Sequence, residues 1–293
     1  MVTILFSVLG CICLLYLIYF IRDFIKHKDN LEDNSWWKLS LIGFVTNFFD
    51  VLGIGSFATG ASALRIFKQS NDRVIPGTLN VGYAIPVMLE ALIFIKVIEV
   101  EALTLIGMIA SALIGAWLGA GIVAKFSEEK VQKVMGIALT ATGILMLMSQ
   151  LNLIPSGGDA IGLEGGKLIF AVIVNFILGA LMTAGIGLYA PCMVLVYFLG
   201  MSPKVAFPIM FGSCAFLMPI ASIKFIKEGA YNRKAAMAFS TIGALGVLIA
   251  AYFVKSLPID ILTWIVIIVV FYTAISMLKA NRKNKAKEVE RLD

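Results

Sequence analysis

The tripeptide Gly-Ile-Gly occurs twice, at residues 53–55 and 185–187, each time in the middle of a long apolar segment. A helix that breaks inside a membrane frees backbone N–H and C=O groups, and lipid offers them no partner. Such breaks persist only beside protein or a water-filled cavity. The helix that restarts after a break presents unpaired N–H groups and the positive end of its dipole, and glycine lets a ligand approach that backbone closely. Two facing restarts would form a binding site for a small anion.

Polar side chains near the two breaks could complete this site. The hydroxyl groups of Ser56, Thr59 and Tyr189 can donate hydrogen bonds to the oxygens of an anion. Alternatively, serine and threonine hydroxyls bond to carbonyls of their own helices, as they commonly do in membranes. The residues that we predict to bind the anion are Asn47, Asp50, Gly53, Gly55, Ser56, Phe57 and Thr59 in the first half, and Thr183, Gly185, Gly187, Tyr189 and Cys192 in the second.

Two acidic residues in apolar segments are candidates for proton coupling. Asp50 lies three residues before the first break, where a carboxylate is costly unless it is paired or hydrated. A proton-coupling role is natural there, because protonation would remove the repulsion between this carboxylate and a bound anion. The alternative for Asp50 is a helix cap, or a partner for Asn47 or a lysine. Glu90 is the second candidate, with a structural ion pair as its alternative.

The composition restricts the class of protein. Hydrophobic residues make up 60% of the 293 residues and charged residues only 14%, which is typical of membrane proteins. The net charge is +6, but the basic residues lie at segment ends rather than on one polar face, which argues against nucleic-acid binding. The four cysteines form no CxxC pair and there is one histidine, so we predict no metal centre and no cofactor. No motif points to an enzyme.

The order of apolar segments predicts an all-α integral membrane protein with two repeats. Each repeat would contain a broken helix pair and three transmembrane helices, and paired breaks of this kind are the best sequence indicator of a transporter's binding site. The predicted parts are an N-terminal transmembrane helix and cytoplasmic loop (1–38), repeat 1 (39–153), a linker (154–166), repeat 2 (167–278) and a partly disordered cytoplasmic tail (279–293).

The distribution of Lys and Arg favours broken pairs that dip into the membrane and return. With re-entrant pairs, all but four of the 24 Lys and Arg residues fall on the cytoplasmic side, as the positive-inside rule expects. If both pairs crossed the membrane, the split would weaken to 16 against 8. Three full crossings per repeat make the repeats inverted. Residues 1–21 lack a preceding basic region, so we read them as a retained helix with the N-terminus outside and the C-terminus cytoplasmic.

The motifs together resemble those of the TauE/SafE sulfite-exporter family of bacterial and archaeal permeases. The matching stretches are GIGSFATG (53–60), DRVIPGTLNVG (72–82), GIGLYAPC (185–192) and SPKVAFPIMFGS (202–213), and the resemblance extends from about residue 39 onward. It implies a carrier in the prokaryotic inner membrane for sulfur-containing anions such as sulfite, sulfoacetate or related organosulfonates. It also implies that the proton gradient, rather than ATP, drives transport.

We therefore expect a secondary transporter whose partners are a small sulfur-containing anion, protons and the lipid bilayer. The alternatives are an uncoupled anion channel that uses the same helix ends, or a permease for a different small anion. Rows of small residues such as Gly107/Ser111/Gly115/Gly119 and Gly243/Gly246/Ala250 allow close helix packing, either within the monomer or in a dimer, so a homodimer is a further expectation.

Overall fold

A computed structural model describes residues 2–154, 157–253 and 259–289, and this part of the chain contains helices and no strands. The predicted all-α fold is confirmed. The helices are α1 (Val2–Lys26), α2 (Trp36–Val51), α3 (Ser56–Ile66), α4 (Ile75–Val97), α5 (Ala102–Val123), α6 (Glu128–Gln150), α7 (Gly165–Met182), α8 (Tyr189–Phe198), α9 (Ala206–Lys227), α10 (Arg233–Ala238), α11 (Ala244–Phe253) and α12 (Ile259–Val289).

Seven helical segments of the described chain are long and apolar enough to cross a membrane, so the protein is a multi-pass membrane protein. They are Thr3–Lys26, Asp72–Val97, Ala102–Val123, Glu128–Gln150, Gly165–Met182, Pro203–Lys227 and Arg233–Tyr252. The set includes α7, which we predicted to be one arm of a broken pair. We also predicted that the last apolar segment crosses the membrane. It forms α12, which is 31 residues long and packs along α6, and several of its side chains lie outside the described residues, so this crossing stays a prediction.

The first broken pair, α2 and α3, forms a hairpin whose two ends meet. Gly53 and Gly55 reverse the chain with φ angles of +80° and +91°, which side chains with a Cβ rarely adopt. At the open end, Asn34 Nδ2 donates to the carbonyl of Gln69 at 2.9 Å, and the amide of Ser35 donates to Gln69 Oε1 at 3.1 Å. The chain thus leaves this hairpin on the side where it came in.

The second broken pair, α7 and α8, is built in the same way. Gly185 lies at the break with a φ of +93°. At the open end, Lys167 Nζ donates to the carbonyl of Leu199 at 3.2 Å, and the amide of Ser202 donates to the carbonyl of Ala160 at 2.8 Å. This element also returns to its starting side.

The two hairpins open at opposite ends of α4. The first is joined to the start of α4 by residues 67–74, and Asn232 before α10 donates to the carbonyl of Gln69 there. Beyond the other end of α4, the amide of Glu101 donates a hydrogen bond to the carbonyl of Ile161 at 2.9 Å. This contact lies close to the open end of the second hairpin. These contacts support the predicted inversion of the two halves relative to the bilayer, which stays a prediction.

Each hairpin packs mainly against helices of the other half of the chain. Gly246 of α11 lies against the Phe44 carbonyl of α2, and Gly115 of α5 lies against the Phe176 carbonyl of α7. A side chain at either glycine would collide with backbone, so the small residues permit this close approach. The rows of small residues are therefore used inside the monomer, and they no longer argue for the homodimer, which stays a prediction without that support.

The structure adds detail to two predicted parts and leaves others outside the described residues. Residues 279–289 of the predicted tail continue α12, and Asn281 Nδ2 donates to the Glu129 carbonyl of α6 at 2.8 Å. The partial disorder of the tail stays a prediction. The membrane-spanning segment Arg233–Tyr252 contains a π-helical turn at Phe239–Gly243. The linker residues 155–156, the basic residue Lys255 and the tail residues 290–293 lie outside the described residues.

We expect Gly115→Ala to lower the free energy of unfolding by about 1–3 kcal/mol, because the new Cβ would press against the Phe176 carbonyl oxygen. Gly107→Ala on the same helix is the matched control, since its Cβ would lie 3.4 Å from Val172 Cγ2, an ordinary contact. Thermal unfolding of the purified chain in detergent measures both. Equal melting temperatures for the two variants would contradict the close α5–α7 packing.

Candidate functional site

At the first break, the restarting helix is capped by a side chain of the protein. Asp50, in the last turn of α2, accepts a hydrogen bond from the amide of Ser56 at 2.6 Å through Oδ1 and one from the Ser56 hydroxyl at 2.9 Å through Oδ2. The N-terminus of α3 is thus already occupied by a carboxylate. This is the favourable arrangement for a helix dipole and its free N–H groups, and it matches the cap that was the alternative role for Asp50.

At the second break, the restarting helix has no such cap. Leu188 is the N-cap residue of α8 and makes no side-chain hydrogen bond to it. The residue at the position of Asp50, 132 residues later, is Met182. Within the described chain, the amides of Tyr189 and Ala190 have no hydrogen-bond acceptor. The two breaks are therefore alike in backbone and different in charge.

A tyrosine of the second half joins two buried carboxyl groups of the first. The Tyr189 hydroxyl lies 3.2 Å from Asp50 Oδ2 and 3.2 Å from Glu90 Oε2, and both acidic residues are 0% exposed. A phenol has one proton to donate. Both contacts are hydrogen bonds only when one carboxyl group is protonated and donates to the phenol oxygen. The geometry therefore fits a shared proton among the three groups.

Neither carboxyl group has a basic partner in the described part of the chain. The ion pairs found there join other residues, and Glu90 Oε1 is buried without a hydrogen bond. Two unpaired carboxylates this close in a buried setting would be strongly disfavoured, since burial without a counter-charge penalises the charged form. A proton held by the pair removes much of that penalty. The described residues also contain no group of three or more His, Cys, Asp and Glu side chains that could hold a metal ion.

Glu90 is positioned by a helix that contains a proline. Pro86 has no N–H, so the carbonyl of Gly82, four residues earlier, loses its partner within α4. The Ser240 hydroxyl from the π-helical turn donates to that carbonyl at 3.0 Å. The interruption in α4 is thus satisfied by the other half of the chain, and Glu90 follows it by one helical turn.

A small cavity of about 20 Å³ lies between the two breaks. Its volume is enough for one water molecule and too small for a sulfur oxyanion. A second cavity of about 210 Å³ adjoins it, and Ile54 and Ala190 line both. Gln150 and Tyr197 also line the larger cavity, which places it toward the open end of the second hairpin. The structure is therefore a state in which the centre is closed and one side has a vestibule.

Half of the predicted binding residues line the small cavity and half do not. Those that line it are Asp50, Gly55, Ser56, Phe57, Gly187 and Tyr189. Gly53 lines the larger cavity instead. Among the others, Gly185 lies against Met135 and Cys192 is fully buried in the apolar core. The binding roles stay predictions for all of them.

The remaining predicted residues use their polar groups within their own helices. The Thr59 hydroxyl donates to the Gly55 carbonyl at 2.9 Å, and the Thr183 hydroxyl donates to the Ala180 carbonyl at 2.7 Å. Asn47 Nδ2 donates to the Gly43 carbonyl at 2.6 Å. The two threonines thus bond to carbonyls near them in sequence, which was the alternative role for serine and threonine hydroxyls. None of the three side chains lines the small cavity.

Sequence reasoning missed Thr142, which lines the small cavity from α6. This helix carries no break, no charge near the centre and no motif, so Thr142 looked like any other residue of an apolar helix. Only the packing of α6 against α8 and α12 brings it to the space between the breaks.

We expect Asp50→Ala to lower the free energy of unfolding by about 1–3 kcal/mol, because the buried Ser56 amide would lose its acceptor. Asp50→Asn keeps an oxygen that can accept this hydrogen bond and should lose less. Thermal unfolding in detergent compares the two. If the alanine variant melts at the temperature of the unmodified chain, the cap is not what holds the start of α3.

Comparison with known proteins gives one result. The family described as sulfite exporter TauE/SafE matches residues 2–146 and 168–292. No curated protein and no solved structure matches the sequence. The match covers nearly the whole chain, including both breaks and the residues around them, and the chain belongs to the TauE/SafE sulfite exporter family of membrane transporters.

Proposed function

We propose that the protein is a secondary transporter that moves a small sulfur-containing anion, such as sulfite, sulfoacetate or a related organosulfonate, across the cytoplasmic membrane together with protons. Membership of the sulfite exporter family indicates the general class of the transported anion. The single observation that carries the proton coupling is the buried group of Asp50, Tyr189 and Glu90 between the two helix breaks.

Coupling follows from electrostatic repulsion. When the carboxyl pair is deprotonated, its negative charge opposes an anion in the adjoining cavity, and this repulsion is strong where water is excluded. Protonation of the pair removes that charge, so a proton and an anion favour each other's presence. Because Asp50 belongs to one hairpin and Tyr189 to the other, the proton also influences the contact between the halves. Such linkage is what a cotransporter requires.

Alternating access follows from the arrangement of the hairpins. They open at opposite ends of the molecule and meet at the closed centre, and Ile54 and Ala190 separate the vestibule from the small cavity. Movement of one hairpin relative to the other would open the centre to one side at a time, as in other transporters with inverted repeats. The cavity of about 20 Å³ would have to widen for the anion to bind.

An uncoupled channel is the second candidate, and it would use the same helix ends without the carboxyl pair. A permease for a non-sulfur anion is a further alternative. The buried carboxyl groups favour the coupled transporter over the channel, because an open anion path gains nothing from two acidic residues beside it.

We expect Asp50→Asn and Glu90→Gln each to abolish uphill accumulation driven by a pH gradient, because neither variant can carry the proton on that side chain. Purified protein in liposomes, with the acidic side outside and radiolabelled sulfoacetate as the probe, measures accumulation with and without a protonophore. Sulfoacetate is the cleaner probe because acidified sulfite forms sulfur dioxide, which crosses lipid unaided. Tyr189→Phe should weaken coupling, and Tyr252→Phe, whose side chain on α11 is 85% exposed, is its control.

The outcomes separate the candidate functions. Accumulation that the protonophore abolishes, and that both acid variants lose, supports the coupled transporter. Downhill flux that is unchanged in both variants favours the channel. If neither sulfoacetate nor sulfite moves, the sulfur-anion assignment for this chain is wrong.

We also propose that the open end of the first hairpin faces the cytoplasm, because most Lys and Arg residues lie at that end. Arg73 and Lys204 are exposed residues in the short turns that follow the two hairpins. In a variant with Cys11→Ala and Cys13→Ala, Lys204→Cys should react with a membrane-impermeant thiol reagent on intact spheroplasts. Arg73→Cys should react only after permeabilisation. Labelling of both from outside would contradict the inverted arrangement.

A further inference from the structure

The difference between the two breaks suggests where the anion binds. We propose that the anion occupies the N-terminus of α8, in the position that the Asp50 carboxylate takes at the N-terminus of α3, and that Thr142 donates a hydrogen bond to it. The proposal rests on the proposed function for its sulfur chemistry. The geometry by itself specifies an oxyanion.

The first half of the argument is the internal comparison between two equivalent helix starts. At α3 the free amide and the hydroxyl of Ser56 bind two oxygens of a carboxylate. The helix α8 has ten residues and no side-chain cap, and the amides of Tyr189 and Ala190 at its start have no hydrogen-bond acceptor among the described residues. The residue equivalent to Asp50 is the apolar Met182. Backbone of this kind attracts an anion. At the first break the chain itself provides the anionic group, the Asp50 carboxylate. At the second break the same position is left for an external anion.

The second half of the argument is an independent observation on α6. Thr142 is 6% exposed and lines the same small cavity as Gly187, Leu188 and Tyr189. Its hydroxyl has no hydrogen-bond partner among the described residues, whereas the nearby Thr140 hydroxyl donates to the Gly136 carbonyl of its own helix at 2.8 Å. This hydroxyl group lies at the wall of the cavity and can donate a hydrogen bond to a bound group. A hydrogen bond to a bound anion would satisfy it.

The position constrains the chemistry of the ligand. One oxygen must accept from the amides at the start of α8 and another from the Thr142 hydroxyl, so the ligand needs at least two acceptor oxygens on one atom. Sulfite and sulfonate groups meet this requirement, and halides do not. The apolar neighbours Val87 and Met182 favour a compact group over a large hydrated one. Any substituent on a sulfonate would extend past Ile54 and Ala190 into the vestibule.

The test compares three single variants of the full-length chain in detergent. Thr142→Val removes the hydroxyl at nearly constant shape, Thr142→Ser keeps it, and Thr140→Val removes a hydroxyl that bonds within α6. Isothermal titration with sulfite, sulfoacetate, nitrate and phosphate measures binding, and thermal unfolding checks that each variant is folded. For the anion that binds, Thr142→Val should raise Kd roughly 10- to 100-fold. Thr142→Ser and Thr140→Val should change it by less than about threefold.

Each outcome has a separate meaning for the binding position and for the proposed function. If Thr142→Val and Thr140→Val bind a sulfur anion equally well, the position at α8 with Thr142 is wrong and sulfur-anion binding stands. If only nitrate or phosphate binds, with the expected loss in Thr142→Val, the position stands and the sulfur assignment is wrong. If none of the four probes binds to the unmodified chain, the inferred oxyanion site is overturned.

Discussion

The requirement that buried backbone groups find partners governs this structure. Two helices are broken in the interior of an apolar protein, and each break leaves N–H groups that lipid cannot satisfy. The first break solves the problem with the Asp50 carboxylate, and the second has no such side chain. This unequal solution introduces a buried acid into one half and an open helix start into the other. The proposed binding position, the buried carboxyl group of Asp50 and its contact with Tyr189 all follow from this difference.

The buried acid in turn requires help from the other half of the chain. Asp50 lies beside Glu90, and Tyr189 from the second hairpin bridges the two. The arrangement is satisfied only with a shared proton, so the charge state of the centre and the contact between the hairpins are linked. A structural cap and a functional carboxyl group are therefore not competing descriptions of Asp50. The same oxygen atoms can serve both purposes.

Close packing of backbone against backbone holds the two breaks together. The carbonyl groups of Phe44 and Phe176 each rest on a glycine of the other half, Gly246 and Gly115 respectively. The hairpins are thus held by helices from the opposite half rather than by their own neighbours in sequence. Because these glycine faces are used inside the monomer, they are unavailable for association between copies. Intertwined packing of this kind also lets a change at one hairpin affect the helices of the other half.

The sequence alone determined the membrane class, the two breaks and the presence of a carboxyl group, Asp50, beside the first break, because hydrophobic length and glycine placement are local properties of the chain. It also indicated the hairpins, through the distribution of Lys and Arg. Only the tertiary structure decided that Asp50 caps its own helix, that Tyr189 joins it to Glu90, and that Thr142 reaches the centre. The sequence also could not show that three polar side chains would bond to nearby carbonyls instead of facing the cavity, namely those of Thr59, Thr183 and Asn47. Whether a polar side chain faces a cavity or its own helix depends on neighbours far away in sequence. Those contacts arise from packing between the two halves, which no local pattern records.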